Sequence, residues 1–349
     1  MSNLTDDPEP LLWELARNVT GWGRIHVVER LAGTQHPEIK DWLLREGYRN
    51  SVMYEYLAYT CATSGGLLEA LSQETVDRDL LTSAGEILAA LIAGGPAQDI
   101  DDYDEGAVAV EMFLNHMESS AQTLDDFLHV QTLKQFLDDE DADWESRAER
   151  GWTDTRRNHL RAMCARILSR PGWSDLARDG LTSEDEAEFD QASRVADALG
   201  LDTWEAHWRR LREKPTDSGR WYHVMARCDD DRIVEVLRFA EENIDLEKIA
   251  GGPAEELGLG PGWEHHRCLD FILQELKRFV GQGSRLIQAG LQSPVVRNRN
   301  LAVAALSAWG QEQWGDALRS ALEAASACEP RDNVRERMEK VLKGIPLED

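Results

Sequence analysis

Apolar residues recur along this chain at helical intervals. Between Glu38 and Ala62, Ile39, Leu43 and Leu44 mark one apolar stripe, and Val52, Tyr56, Tyr59 and Cys61 mark the next. Gly47 lies between them as a C-cap, and Pro37 falls at a first helical position, where a missing N–H costs little. Near the other end, Pro294 opens a helix through Val295, Val296, Leu301, Val303 and Leu306 to Trp309, and Gly310 breaks it. Further helices are predicted near 311–325 and 331–343. Between the two ends, helices are predicted near 66–93, 106–119, 123–138, 153–169, 183–199, 202–213, 229–242 and 263–279, and one begins near Trp22. Pro and Gly cluster at the breaks, as in Gly94-Gly95-Pro96, Pro171-Gly172, Gly251-Gly252-Pro253 and Gly260-Pro261-Gly262. No alternating apolar–polar run reaches strand length. The expected class is all-α.

One helix pair occupies roughly 36–62 and another roughly 294–325, in the range of the ~40-residue units that stack into solenoids. This spacing predicts an α-α superhelix of stacked antiparallel helix pairs. It is read as a single continuous domain over 1–349, with an irregular middle section over 94–260. The segment Ser293-Pro294-Val295-Val296-Arg297-Asn298-Arg299-Asn300-Leu301-Ala302-Val303-Ala304-Ala305-Leu306 resembles the second half of a HEAT or armadillo-like repeat. A Pro starts the helix, Val and Arg follow, and small residues then let neighbouring helices approach. Longer strings carry a second resemblance: Gly21-Trp22-Gly23-Arg24-Ile25-His26-Val27-Val28-Glu29-Arg30-Leu31, then Trp42-Leu43-Leu44-Arg45-Glu46-Gly47, then Arg49-Asn50-Ser51-Val52-Met53-Tyr54-Glu55-Tyr56-Leu57-Ala58-Tyr59-Thr60-Cys61-Ala62. These are similar to bacterial proteins often given the automatic label limonene hydroxylase, most strongly over 20–62. That resemblance implies oxygen insertion into a monoterpene.

Lys and Arg number 38 against 65 Asp and Glu, a formal net charge of −27. Phosphate backbones are bound by Lys and Arg that displace counterions, so nucleic acid is excluded as an expected partner. Anionic lipid is repelled as well. A protein or peptide with a basic surface is the partner this charge favours. No run approaches the ~18 apolar residues needed to cross a bilayer. The opening MSNLTDDPEP has neither a basic nor an apolar signal region, so the cytoplasm is the expected compartment. The five cysteines, Cys61, Cys164, Cys228, Cys268 and Cys328, stand far apart with no CxxC, which suggests small buried hydrophobes.

A hydroxylase needs a cofactor that handles oxygen. The nearest approach to a dinucleotide loop, Gly258-Leu259-Gly260-Pro261-Gly262, contains Pro and follows no strand. A helical di-iron site needs Glu-x-x-His pairs; among the nine histidines only Asp126-x-x-His129 offers a carboxylate variant. Neither Asp99–Glu105 nor Asp138–Asp143 has the central glycine of a calcium loop. Glu264-His265-His266 with Cys268 supplies too few ligands for a metal. No hydrolytic motif occurs. The expectation is therefore no catalytic residue, no metal, no cofactor and a non-catalytic binding role; the alternatives are the hydroxylase of the resemblance and an acidic inhibitor or immunity-type protein. The expected binding surface, on the concave face of the superhelix, comprises Arg24, His26, Glu29, Arg30, Arg49, Asn50, Tyr54, Glu55 and Tyr59 near the start, with Arg297, Asn298 and Arg299 near the end.

Overall fold

The computed structural model describes residues 7–347. The first six residues, MSNLTD, lie outside them, and so does that part of the expectation about the chain's start. The described residues are all-helical, and the only extended pairing among them is an isolated bridge between Glu256 and Val295. No helix among them is long and apolar enough to cross a membrane. Contacts divide the chain into two compact units, Met1–Leu201 and Asp202–Asp349.

Local chemistry sets many of the helix starts. Asp77, Thr123, Thr153, Asp185, Asp217 and Asp245 each accept a backbone N–H of the first turn. Part of the chain's acidity is thus spent at helix N-termini, where the helix dipole favours it. Pro37 occupies the first turn of Pro37–Trp42, and Gly310 ends Val296–Trp309 at φ +81. Gly47 is not a left-handed cap. It closes a π-helical turn, Leu43–Gly47, and a Cβ there would come within 2.9 Å of Leu43 and 3.3 Å of the Cys61 sulfur. Its role is close packing. The helix expected over 66–93 is two, Leu67–Leu71 and Arg78–Ala93, because Asp77 caps a new start on the Leu80 N–H. Six helices lie outside the predicted ranges: Glu9–Asn18, Trp144–Glu149, Trp173–Gly180, Ser218–Ala226, Leu246–Ile249 and Ser284–Leu291.

Packing within each unit follows alternate helices. In the first, Gly21–Glu29 packs on Glu55–Gly65, that helix on Arg78–Ala93, and that in turn on Leu124–Asp138. Asp154–Leu168 and Glu186–Ala198 then pack on Leu124–Asp138, while Leu67–Leu71 lies against Gly106–Ser120. In the second unit, Ser218–Ala226, Glu264–Leu276, Val296–Trp309 and Asp332–Leu342 form one row. Leu246–Ile249, Ser284–Leu291 and Gly315–Cys328 form another beside it. One apolar core runs through this unit from Trp204 to Val341, including the wholly buried Trp221, Leu269, Leu286 and Leu306.

Candidate functional site

The expected surface near the start begins at the turn after Gly47. Asn50 accepts the N–H groups of Val52 and Met53 at 2.8 and 2.9 Å and donates to the carbonyls of Tyr48 and Met53 at 3.1 and 2.7 Å. Its side chain is therefore consumed in shaping the turn. That turn delivers Tyr54, which is 38% exposed and stands edge-on to Tyr48 with ring centroids 5.5 Å apart. Behind it, the Tyr48 hydroxyl donates to Glu86 at 2.5 Å, and Arg49 Nε lies 3.1 Å from the same carboxylate. Burial, with Glu86 adding, pushes the Tyr48 phenol far above its ordinary value.

Glu86 opens onto a cleft of about 410 Å³ in the first unit. Tyr54 and Glu55 form one side. Ala89, Ala90 and Ala93 of Arg78–Ala93 line it as well, their small side chains leaving room. Asp125, Leu128, His129 and Thr132 come from Leu124–Asp138, and Arg194 comes from Glu186–Ala198. His129 packs its ring directly onto Gly85, where any Cβ would collide with it. Its Nδ1 is buried without a protein hydrogen-bond partner, and burial holds its pKa below the ordinary value. Asp125 accepts from Gln191 at 2.7 Å. Three carboxylates, Glu55, Glu86 and Asp125, thus face one open depression beside an exposed tyrosine.

The remaining expected residues divide by role. Arg24 is half-buried, lies 5.3 Å over the Trp42 ring and donates to the Glu46 carbonyl at 2.6 Å, so it braces two segments. His26, Glu29 and Arg30 are exposed on the next face, with His26 Nδ1 3.4 Å from Glu29. Tyr59 is half-buried. Near them Trp22 is 54% exposed, its ring edge-on to Tyr56 at 4.9 Å, an exposed aromatic that was not among the expected residues. The second cluster belongs to the other unit, and there only Arg297 reaches the surface. Asn298 and Arg299 are wholly buried, contrary to the expectation of a binding face. Asn298 donates to the His266 carbonyl and to Asp270 at 2.9 and 2.7 Å, while Arg299 pairs with Glu329 at 2.6 and 2.8 Å. Core packing takes both because their partners stand about thirty positions away, where no local pattern reveals them.

The candidate ligands noted in the sequence are employed otherwise. Asp126 is buried and closes a capping box with Thr123 while pairing with Arg78. Burial works against its charge, but Arg78 and the N–H groups of Gln122 and Thr123 outweigh it and hold the carboxyl below its ordinary range. It therefore does not join His129 in a ligand pair. His265 Nδ1 accepts the Asp245 N–H at 3.2 Å, and burial pushes the thiol of Cys268 up to about 12. In the Asp99–Glu105 loop, Asp101 makes two bonds of 2.7 Å to Arg147. Burial raises the thiols of Cys61, Cys164 and Cys228 as well. Among the described residues no three His, Cys, Asp or Glu side chains stand close enough to hold a metal ion. No family model and no curated protein matches the chain.

The cleft residues that sequence reasoning missed are Glu86, Asp125 and Arg194, along with the small residues between them; His129 was noted only as half of a carboxylate–histidine pair. Arg49, by contrast, was expected to touch a partner, and its nitrogens are engaged by Glu86, Tyr48 and Glu46. Arg49→Glu sets three acidic groups together and strands the Tyr48–Glu86 bond, at a cost on the order of 1–2 kcal/mol. Thermal denaturation should show a fall of roughly 3–8 °C. An unchanged melting temperature would show that these contacts contribute nothing.

Proposed function

We propose that the chain is a non-catalytic helical-repeat scaffold that binds a basic segment of a protein or peptide in the cleft between Tyr54 and His129. The observation that carries this reading is the convergence of Glu55, Glu86 and Asp125 on a depression walled by an exposed tyrosine. A Lys or Arg side chain entering there meets carboxylates in a partly desolvated setting, and Tyr54 offers it a π face. The formal charge of −27 draws a basic partner toward the surface before contact. The packing of alternate helices in rows supports an α-α superhelix of the HEAT kind, in which such a cleft belongs to the concave face. Nucleic acid and membrane are not partners in this reading, and its place is the cytoplasm.

The test is a tagged pull-down from the native cytoplasm at physiological salt, read by mass spectrometry, with a Tyr54→Ala, Glu55→Lys variant alongside. Neither substituted side chain makes a hydrogen bond or ion pair within the Tyr48–Glu86–Arg49 network, though Tyr54 packs edge-on on Tyr48, so circular dichroism is used to verify that the variant keeps the fold. A basic protein held by the parent chain, lost by the variant and released tenfold or more by raising salt several-fold is the expected result. A partner retained equally by both chains, or one that is acidic, would overturn the assignment.

A further inference from the structure

The second unit contains a cleft of opposite character. It is about 450 Å³ in volume and lies among Glu264–Leu276, Val296–Trp309 and Asp332–Leu342, with Pro346 and Leu347 along one side. Its charged lining is entirely cationic, Lys277 and Arg337, in a chain where acids outnumber bases 65 to 38. Among the described residues neither has a carboxylate partner, although the neighbouring cations do: Arg278 pairs with Glu275 and Arg335 with Asp332. The Nε of Arg337 is buried with no hydrogen-bond acceptor among the described residues. A guanidinium fork held half-buried and unpaired is costly unless an anion completes it. Gln274 adds an amide to the lining. Ser307 adds a hydroxyl whose oxygen accepts the Leu347 N–H at 3.0 Å, leaving its hydrogen for donation. The rest of the wall is aliphatic, with Leu273, Leu301, Ala304 and Leu347 prominent.

From this arrangement we propose that the cleft binds a small amphipathic carboxylate, with its head on Arg337 and Lys277 and a short aliphatic chain against Leu301 and Leu347. A free inorganic anion would use the cations and leave the apolar wall wet; a neutral lipid would leave Arg337 unpaired. The cavity is within the range that holds small ligands. The site is separate from the acidic cleft of the first unit and selects the opposite charge.

Isothermal titration calorimetry of the full chain with sodium octanoate tests it, with octylamine, octyl phosphate and inorganic phosphate as further arms. The expected result is one octanoate per chain, no heat from octylamine, and at least tenfold weaker binding of inorganic phosphate. Arg337→Gln should weaken octanoate at least tenfold and Lys277→Gln about threefold. Ala304→Phe, which fills the cavity, should abolish binding; Lys277 is exposed, so its variant remains informative should either of the other two fail to fold. Absence of octanoate binding at millimolar concentration overturns the proposal, as does equal binding of octylamine or an affinity unaltered by both Arg337→Gln and Lys277→Gln. Octyl phosphate exceeding octanoate tenfold would also overturn it, by showing that the head group read is a phosphate.

Discussion

Glu329→Ala should lower the stability of the second unit by about 3–5 kcal/mol, because it leaves the Arg299 guanidinium charged, enclosed and half-satisfied. Arg299 and Glu329 are both wholly shielded from water at their side chains, and the pair is bidentate. Arg299 Nη1 also donates to the carbonyls of Ser293 and Pro294 at 2.7 and 3.0 Å, so the pair ties the turn before one helix to the turn before another. Water cannot reach the cation to replace the lost carboxylate. Urea titration should show the loss directly, and the melting temperature should fall by roughly 6–20 °C. The double variant Arg299→Met, Glu329→Leu removes both charges and keeps much of the volume, so it should recover most of the stability. A single-variant loss below about 1 kcal/mol would mean that water or another group reaches Arg299.

Acid should destabilise the protein at pH values where most of its carboxylates are still charged. Burial, with His223 stacked on it at 4.6 Å and Arg227 nearby, brings the pKa of His207 down to about 3, and burial brings that of His266 to about 4. Both stay neutral in the folded state while the unfolded chain takes up protons below pH 6.5. Each therefore removes about 1.4 kcal/mol per pH unit as pH falls from 6.5 toward its folded value. Asp270 acts in the other direction. Burial raises its pKa to about 6 against the pull of Arg297 and Asn298, so between pH 6 and 3.8 the folded state holds a proton that the unfolded state has lost. It returns about the same slope as one histidine removes. The sum is a loss of about 3 kcal/mol between pH 7 and 4.5, measurable as a falling urea midpoint. His266→Leu should flatten that fall by about 1.4 kcal/mol per pH unit, because neither His266 nitrogen has a protein partner to lose. Parallel pH profiles for the parent and the variant would refute the assignment.

Much of the helical pattern was legible because long helices repeat their apolar positions and because Pro and Gly punctuate them. Leu124–Asp138 and Asp154–Leu168 fall within a residue or two of the expected ranges for this reason. Trp173–Gly180 and Ser284–Leu291 span eight residues each, so they show only two turns of pattern beside Gly-bearing turns that read as loops. The site was legible only in part. Tyr54 and Glu55 were among the expected residues and do face the cleft. Glu86, Asp125 and Arg194 join them because three further helices pack at that place, a tertiary fact with no local trace. Polar type misled at Asn298 and Arg299, where buried partners settle what the residues do.

The row-by-row packing also bears on how the molecule is made. Within each unit most helices bury their apolar faces on a helix one or two elements away, so the core closes by short steps along the chain. Chains built from such near contacts fold quickly, and they can do so in order of synthesis. The layer from Gly21–Glu29 to Arg78–Ala93 needs nothing beyond Leu124–Asp138, on which Arg78–Ala93 packs, to cover its faces. It can therefore assemble while the second unit is still on the ribosome, and little of its apolar surface need wait exposed for the end of translation.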